Sequence, residues 1–220
     1  MKKYMTKDFF KRAIIMLISV IIMGICVFFL NRTNLGPDPC SAVNYAVSSR
    51  IGMSFGTYQL IVNIILFLFT VVQDKTLFGL GTIGNMVVVG YSADFTGWVV
   101  GKMGLLPDTM TLSVAQCIMI MIPTLAVFLM AAALYMNCGL GTSPYDALPV
   151  LIYHKVEKAT KKTIPFRFVR MIYDGTFTLA AFLIGGGIGI VTVLMVFTLG
   201  PAVDLVGKVV GKLGIFEKTN

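Results

Sequence analysis

Six apolar windows, at residues 13–30, 57–72, 77–100, 112–136, 166–184 and 187–206, divide a chain of 220 residues. Each approaches the roughly 20 residues that carry an α-helix across a bilayer. No other feature constrains the fold as much, because lipid accepts only backbones that satisfy their own hydrogen bonds. The charge content agrees: 13% of residues are charged, against about 25% in a soluble domain, and mean hydropathy is +0.87. The expectation is an all-α membrane protein with six transmembrane helices, one transmembrane domain over residues 1–220, and the lipid bilayer as its first partner. The net charge of +8 then reflects loop topology and calls for no nucleic acid.

The basic start, MKKYMTKDFFKR, precedes an apolar run of 18 residues (13–30). A signal-peptide core is shorter and ends in a small-residue cleavage site, so the run reads as an uncleaved first span. Cys26, Cys40, Cys117 and Cys138 form no C-x-x-C pair, and His154 is the single histidine. No metal site and no cofactor is expected, and the H-E-x-x-H, G-x-S-x-G and P-loop patterns of enzymes are missing.

The chain repeats itself. With a shift of 110, residues 79–104 lie on 189–214, pairing Gly79, Thr82, Gly90, Asp94, Gly97, Gly101, Lys102 and Gly104 with Gly189, Thr192, Gly200, Asp204, Gly207, Gly211, Lys212 and Gly214. With a shift of 105, Leu35-Gly36 falls on Leu140-Gly141. The matches are mostly Gly, Thr, Asp and Lys rather than the Val and Leu that apolar sequence supplies by chance. Two repeats are expected, over 13–104 and 112–214, as in many transporter folds.

Topology follows from the charges. If each half has three spans, the inside holds Lys2, Lys3, Lys7, Lys11, Arg12, Lys75, Lys155, Lys158, Lys161, Lys162, Arg167, Arg170, Lys208, Lys212 and Lys218. The outside holds Arg32, Arg50 and Lys102. This positive-inside bias puts both termini in the cytoplasm and inverts the halves. A parallel 4+4 arrangement satisfies the charge rule equally. Length favours the inverted one, since residues 38–50 make about 20 Å of helix, short of a core of roughly 30 Å.

Those residues belong to a phrase written twice. Asp38-Pro39 and Ser143-Pro144 each place a side-chain acceptor at an N-cap and proline at N1, where a missing N–H costs nothing. Two short broken or re-entrant helices are expected. Their N-termini suit an anion or a carboxylate; the alternative is a pair of turns that only close the fold. Asp38, Pro39, Ser143, Pro144 and Asp146 are therefore candidate binding residues. Asp94, Asp204, Asn63 and the i,i+4 pair Arg170 and Asp174 join them as polar groups within spans, where a charge is costly. The bland readings are helix-end pairing for Asp204 with Lys208 and interhelical polar contacts for Asn63 and Asn85. Gly97, Gly101, Gly207 and Gly211 form small-xxx-small faces for helix packing, between the halves or in a homo-oligomer.

Together, the Leu-Gly-x-x-Pro openings (Leu35 to Pro39; Leu140 to Pro144), the Gly79–Thr82 turn and the Gly-x-x-x-Asp spans (Gly90, Asp94; Gly200, Asp204) resemble the YczE-like membrane proteins, akin to the YitT family. The resemblance covers nearly the whole chain and implies a six-span protein of the bacterial inner membrane. Cys40 stands where many members carry Trp. The resemblance names no substrate. Two functions remain: a small secondary transporter or permease for a small, anionic solute, and a non-transporting scaffold or accessory subunit that docks another protein.

Overall fold

A computed structural model describes residues 7–106, 112–161 and 164–212, and among these every regular element is helical. In chain order they are α1 (Lys7–Arg32), α2 (Pro39–Ile51), α3 (Phe55–Val71), a single 3₁₀ turn (Lys75–Leu77), α4 (Leu80–Gly84), a π-helical turn (Asn85–Val89), α5 (Gly90–Met103), α6 (Val114–Asn137), α7 (Pro144–Thr160), α8 (Phe166–Leu183) and α9 (Ile190–Lys212). Backbone angles stay right-handed through both joints of the π turn, so residues 80–103 run as one helix with a wide turn inside it.

Among the described residues, three helices, α1, α6 and α9, are long and apolar enough to cross a bilayer unaided. A fourth span results only if α2 and α3 count as one, and they are bent by 117° at the break between them. Gly52 makes that break in a left-handed conformation, and Ser54 starts α3 by accepting from the Thr57 amide. The six expected full spans are thus met in part. α3 ends after 17 residues, α8 carries Arg167, Arg170 and Asp174, and residues 80–103 contain the π turn. Large apolar side chains such as Leu17, Ile61, Phe69, Ile122, Phe182 and Phe197 are exposed around the outside, the surface that lipid covers in a membrane protein.

α1 and α6 pack against each other at the centre and run antiparallel. Met16 and Val20, early in α1, meet Tyr135 and Cys138 at the end of α6. Cys26, Val27 and Leu30, late in α1, pack with Phe128 and Ala132. Arg12 fixes this register by donating to the Cys138 carbonyl at 3.2 Å while holding Asp8 at 2.6 Å. Around the central pair, α1 packs on α5 and α6 on α9; α3 packs on α5 and α8 on α9; α2 lies on α8 and α7 on α3.

The turns that precede the short helices make one contact twice. Gly36 and Gly141 adopt φ of +90° and +101°, angles that L side chains rarely adopt. Leu140 O accepts from the Gly81 amide at 2.7 Å, and Thr82 Oγ1 donates to Thr142 O at 2.8 Å. In the other half, Leu35 O accepts from the Val191 amide at 2.9 Å, and Thr192 Oγ1 donates to Pro37 O at 2.7 Å. Each turn therefore docks on the helix start of the opposite half. A Cβ on Gly79 would collide with the Leu140 carbonyl oxygen, and one on Gly189 with the Leu35 backbone.

The glycine faces divide. A Cβ on Gly97 would stand 3.1 Å from the Phe28 ring, and one on Gly207 would stand 2.8 Å from the Asn137 amide. Gly97 thus faces α1 and Gly207 the end of α6. Nothing lies within 4 Å of the Gly101 Cβ position, because the last turn of α5 stands exposed beyond the α1 contact. The surroundings of Gly211 fall outside the described residues.

Candidate functional site

The two short helices start where the capping chemistry predicts. Asp38 has extended backbone angles and accepts from the Ser41 amide at 3.1 Å, with Pro39 at N1 of α2. Ser143 does the same for α7, accepting from the Asp146 amide at 3.1 Å, with Pro144 at N1. The first turns of both helices line one cavity of about 70 Å³. Room for a water is roughly 30 Å³ in the liquid, so the space suits an ion or a pair of waters.

A charge network forms one wall. Arg170 Nη2 donates to Asp146 Oδ1 at 2.6 Å, and Arg170 Nε donates to Asp174 Oδ2 at 3.0 Å. Tyr145 donates its hydroxyl to Asp174 Oδ1 at 2.7 Å, and Ser143 donates to Asp146 Oδ2 at 2.7 Å. The guanidinium thus joins α8 to the first turn of α7. Its side chain is 9% exposed and that of Asp174 1%, so neither ion has water to fall back on, and breaking such a pair is costly. Tyr145, Tyr173 and Phe177 pack their rings with centroids 4.8–4.9 Å apart beside this network.

α3 supplies the opposite wall through Gln59 and Asn63, and the π turn supplies Asn85. Gln59 and Asn63 are the fifth and ninth residues of α3; Arg170 and Asp174 are the fifth and ninth of α8; both helices begin with Phe. The fifth and ninth positions of these two helices thus carry a neutral amide pair and an ion pair. Among the described residues, Gln59 Oε1 and the Tyr135 hydroxyl, on two residues that line the cavity, are buried without a hydrogen-bond partner.

Of the candidates read from sequence, Asp38, Pro39, Asn63, Ser143, Asp146, Arg170 and Asp174 meet at this cavity. Pro144 is buried at the helix start beside it. Asp94 does not line it; its carboxylate accepts from the Gly56 amide at 2.9 Å and clips α3 to α5. At that clip a Cβ on Gly56 would stand 2.7 Å from the Gly90 backbone. Asp204 is exposed on α9 and lines, with Lys208, a cleft between α8 and α9 of about 670 Å³. Met136, Arg170 and Leu199 line both spaces. The third amide of each short helix is met by its own cap, and Asp146 and Asp174 both pair with Arg170. Gln59, Tyr135 and Tyr145 were missed. The signal for Gln59 was its spacing to Asn63, which copies Arg170 and Asp174; the two tyrosines carry no such pattern.

Residues 10–208 match a family model described as a family of unknown function (DUF6198). The chain is 28% identical over 169 residues to the uncharacterized membrane protein YczE of Bacillus subtilis, covering 76% of this chain and 71% of that one. It is 25% identical over 204 residues to an uncharacterized protein of Haemophilus influenzae, covering 93% and 87%. No solved structure gives a significant match.

Proposed function

The chain belongs to the DUF6198 family, and we propose that it is a small permease of the bacterial inner membrane whose solute path runs through the cavity between the two capped helices. The observation that carries this reading is the convergence of both short-helix starts, Asp38 and Ser143, on one buried polar space. Irregular backbone at membrane depth is tolerated where protein or a water-lined cavity covers it. Paired broken helices at corresponding positions of two halves are the usual mark of a transport site.

The arrangement is six spans in two inverted halves, with both termini cytoplasmic. The antiparallel run of α1 and α6 supports inversion, since parallel halves would place these corresponding helices side by side in the same direction. The reciprocal docking of the two turns supports the same reading. In this topology the α3–α5 seam, clipped by Asp94 to Gly56, closes the outer end. The α8–α9 cleft opens inward, and Arg170 stands between it and the central cavity. Transport then consists of one seam opening as the other closes.

Uptake into proteoliposomes tests the reading. Vesicles carrying the protein should move at least one class of small solute faster than protein-free vesicles, and Asp38→Asn or Gln59→Leu should slow that flux. Flux equal to that of empty vesicles across charged and neutral small solutes overturns it.

A further inference from the structure

The cleft of about 670 Å³ between α8 and α9 has an apolar wall and a charged mouth. The start of α8 faces the later half of α9 across it, and Phe166, Met171, Val196, Phe197 and Leu205 line it. Gly200 shows how far apart the two helices stand. A Cβ on Gly90, its match in sequence, would stand 2.7 Å from Gly56 of α3, whereas nothing lies within 4 Å of the Cβ position at Gly200. In a bilayer an apolar cleft of this size fills with lipid chains more readily than with water.

The charges gather at one end. Arg167, in the first turn of α8, and Lys208, near the end of α9, both line the cleft, and both are exposed. Among the described residues neither makes an ion pair. Arg170 also borders the cleft, but Asp146 and Asp174 already neutralise it. Asp204 lines the cleft four residues before Lys208, about one turn deeper, and repels an anion from the interior. That leaves the mouth to a negative group. From Val196 to Lys208, α9 covers about 18 Å, close to half of a hydrocarbon core of roughly 30 Å. The cleft is thus about one leaflet deep. Basic pockets between transmembrane helices take anionic headgroups. A soluble anion would use the two cations and leave the apolar wall uncovered; a zwitterionic lipid would cover the wall and leave the cations without a counter-charge.

We propose that the α8–α9 cleft is a site for one anionic phospholipid, with its phosphate between Arg167 and Lys208 and an acyl chain along Met171 and Phe197. The site goes beyond the permease reading and does not rest on it.

The test uses the full chain in a neutral detergent. Native mass spectrometry counts retained lipid as phosphatidylglycerol or phosphatidylcholine with the same acyl chains is added. One phosphatidylglycerol per chain should be retained, at a half-saturating concentration at least about tenfold below that of phosphatidylcholine. Arg167→Gln with Lys208→Gln should abolish that preference. Lys11→Gln with Lys158→Gln makes the same change of charge away from the cleft and should keep it. Should the first variant not fold, Asp204→Asn removes the carboxylate beside the site and should strengthen phosphatidylglycerol retention. Equal retention of the two lipids overturns the site. So does a preference that survives Arg167→Gln with Lys208→Gln, or that is lost equally in Lys11→Gln with Lys158→Gln. Where Asp204→Asn is the variant used, unchanged retention overturns it. Inorganic phosphate at millimolar concentration should leave the lipid bound; displacement would show a site for a free anion and overturn the proposal as well.

Discussion

Thr192 donates its hydroxyl to the Pro37 carbonyl at 2.7 Å, tying the first turn of α9 to the turn that opens α2. Thr82 and Thr142 make the matching bond in the other half. Both bonds need close backbone approach, and Gly79 and Gly189 allow it. Gly79→Ala and Gly189→Ala should each destabilise the protein by about 1–3 kcal/mol through overpacking, read as a lower melting temperature and a smaller monodisperse fraction in detergent. If both variants melt like the parent, the reciprocal docking is not what holds the halves together.

Arg170 balances two buried carboxylates. Arg170→Leu should cost about 3–5 kcal/mol, because Asp146 and Asp174 lose the cation that both pair with. Arg170→Leu combined with Asp174→Leu should recover part of the loss, since one unpaired charge goes with it. A double-mutant comparison of melting curves decides this; strictly additive losses would contradict the pairing.

Asp94 acts through one hydrogen bond to the Gly56 amide. Asp94→Asn keeps an acceptor there and should fold near normally. Asp94→Ala should lose about 1.5–3 kcal/mol, the range for a bond to a charged group, and should expose the α3–α5 seam to hydrogen exchange. Equal exchange at Gly56 in the two variants would show that the clip is incidental.

Gly101 meets nothing within 4 Å. Gly101→Leu should therefore change stability by no more than about 0.5 kcal/mol. If it instead abolishes folding or shifts the oligomeric state, that face packs on a second copy of the chain.

Local chemistry was legible in the sequence wherever it depends on a few adjacent residues. Asp38-Pro39 and Ser143-Pro144 dictate their helix starts through caps and ring geometry, and both starts are where the residues put them. Gly79 and Thr82 match Gly189 and Thr192 in sequence, and the structure makes the same bond with each threonine. Partner choice was not legible. Asp94 and Asp204 occupy matching positions in sequence, yet Asp94 clips a closed seam and Asp204 lines an open cleft. The difference comes from how far apart two helices sit, which no short motif encodes. Gln59 was passed over because a lone amide in an apolar helix reads as interhelical glue; only its register with Asn63 against Arg170 and Asp174 sets it apart.

Cys40 offers the most direct test of the central claim, because it lies on the cavity between the two capped helices. The other cysteines, Cys26, Cys117 and Cys138, are buried and can be replaced by alanine to leave one thiol. Cys40 is half-buried, so its reaction rate in the folded protein, compared with the denatured protein, reports how far the path admits water. The account predicts that Cys40 reacts in the folded protein from the cytoplasmic side, faster with an ethylammonium thiosulfonate than with an ethylsulfonate one. A Cys40 that stays unreactive until the protein is denatured would contradict it and make the space between Asp38 and Ser143 a sealed part of the core.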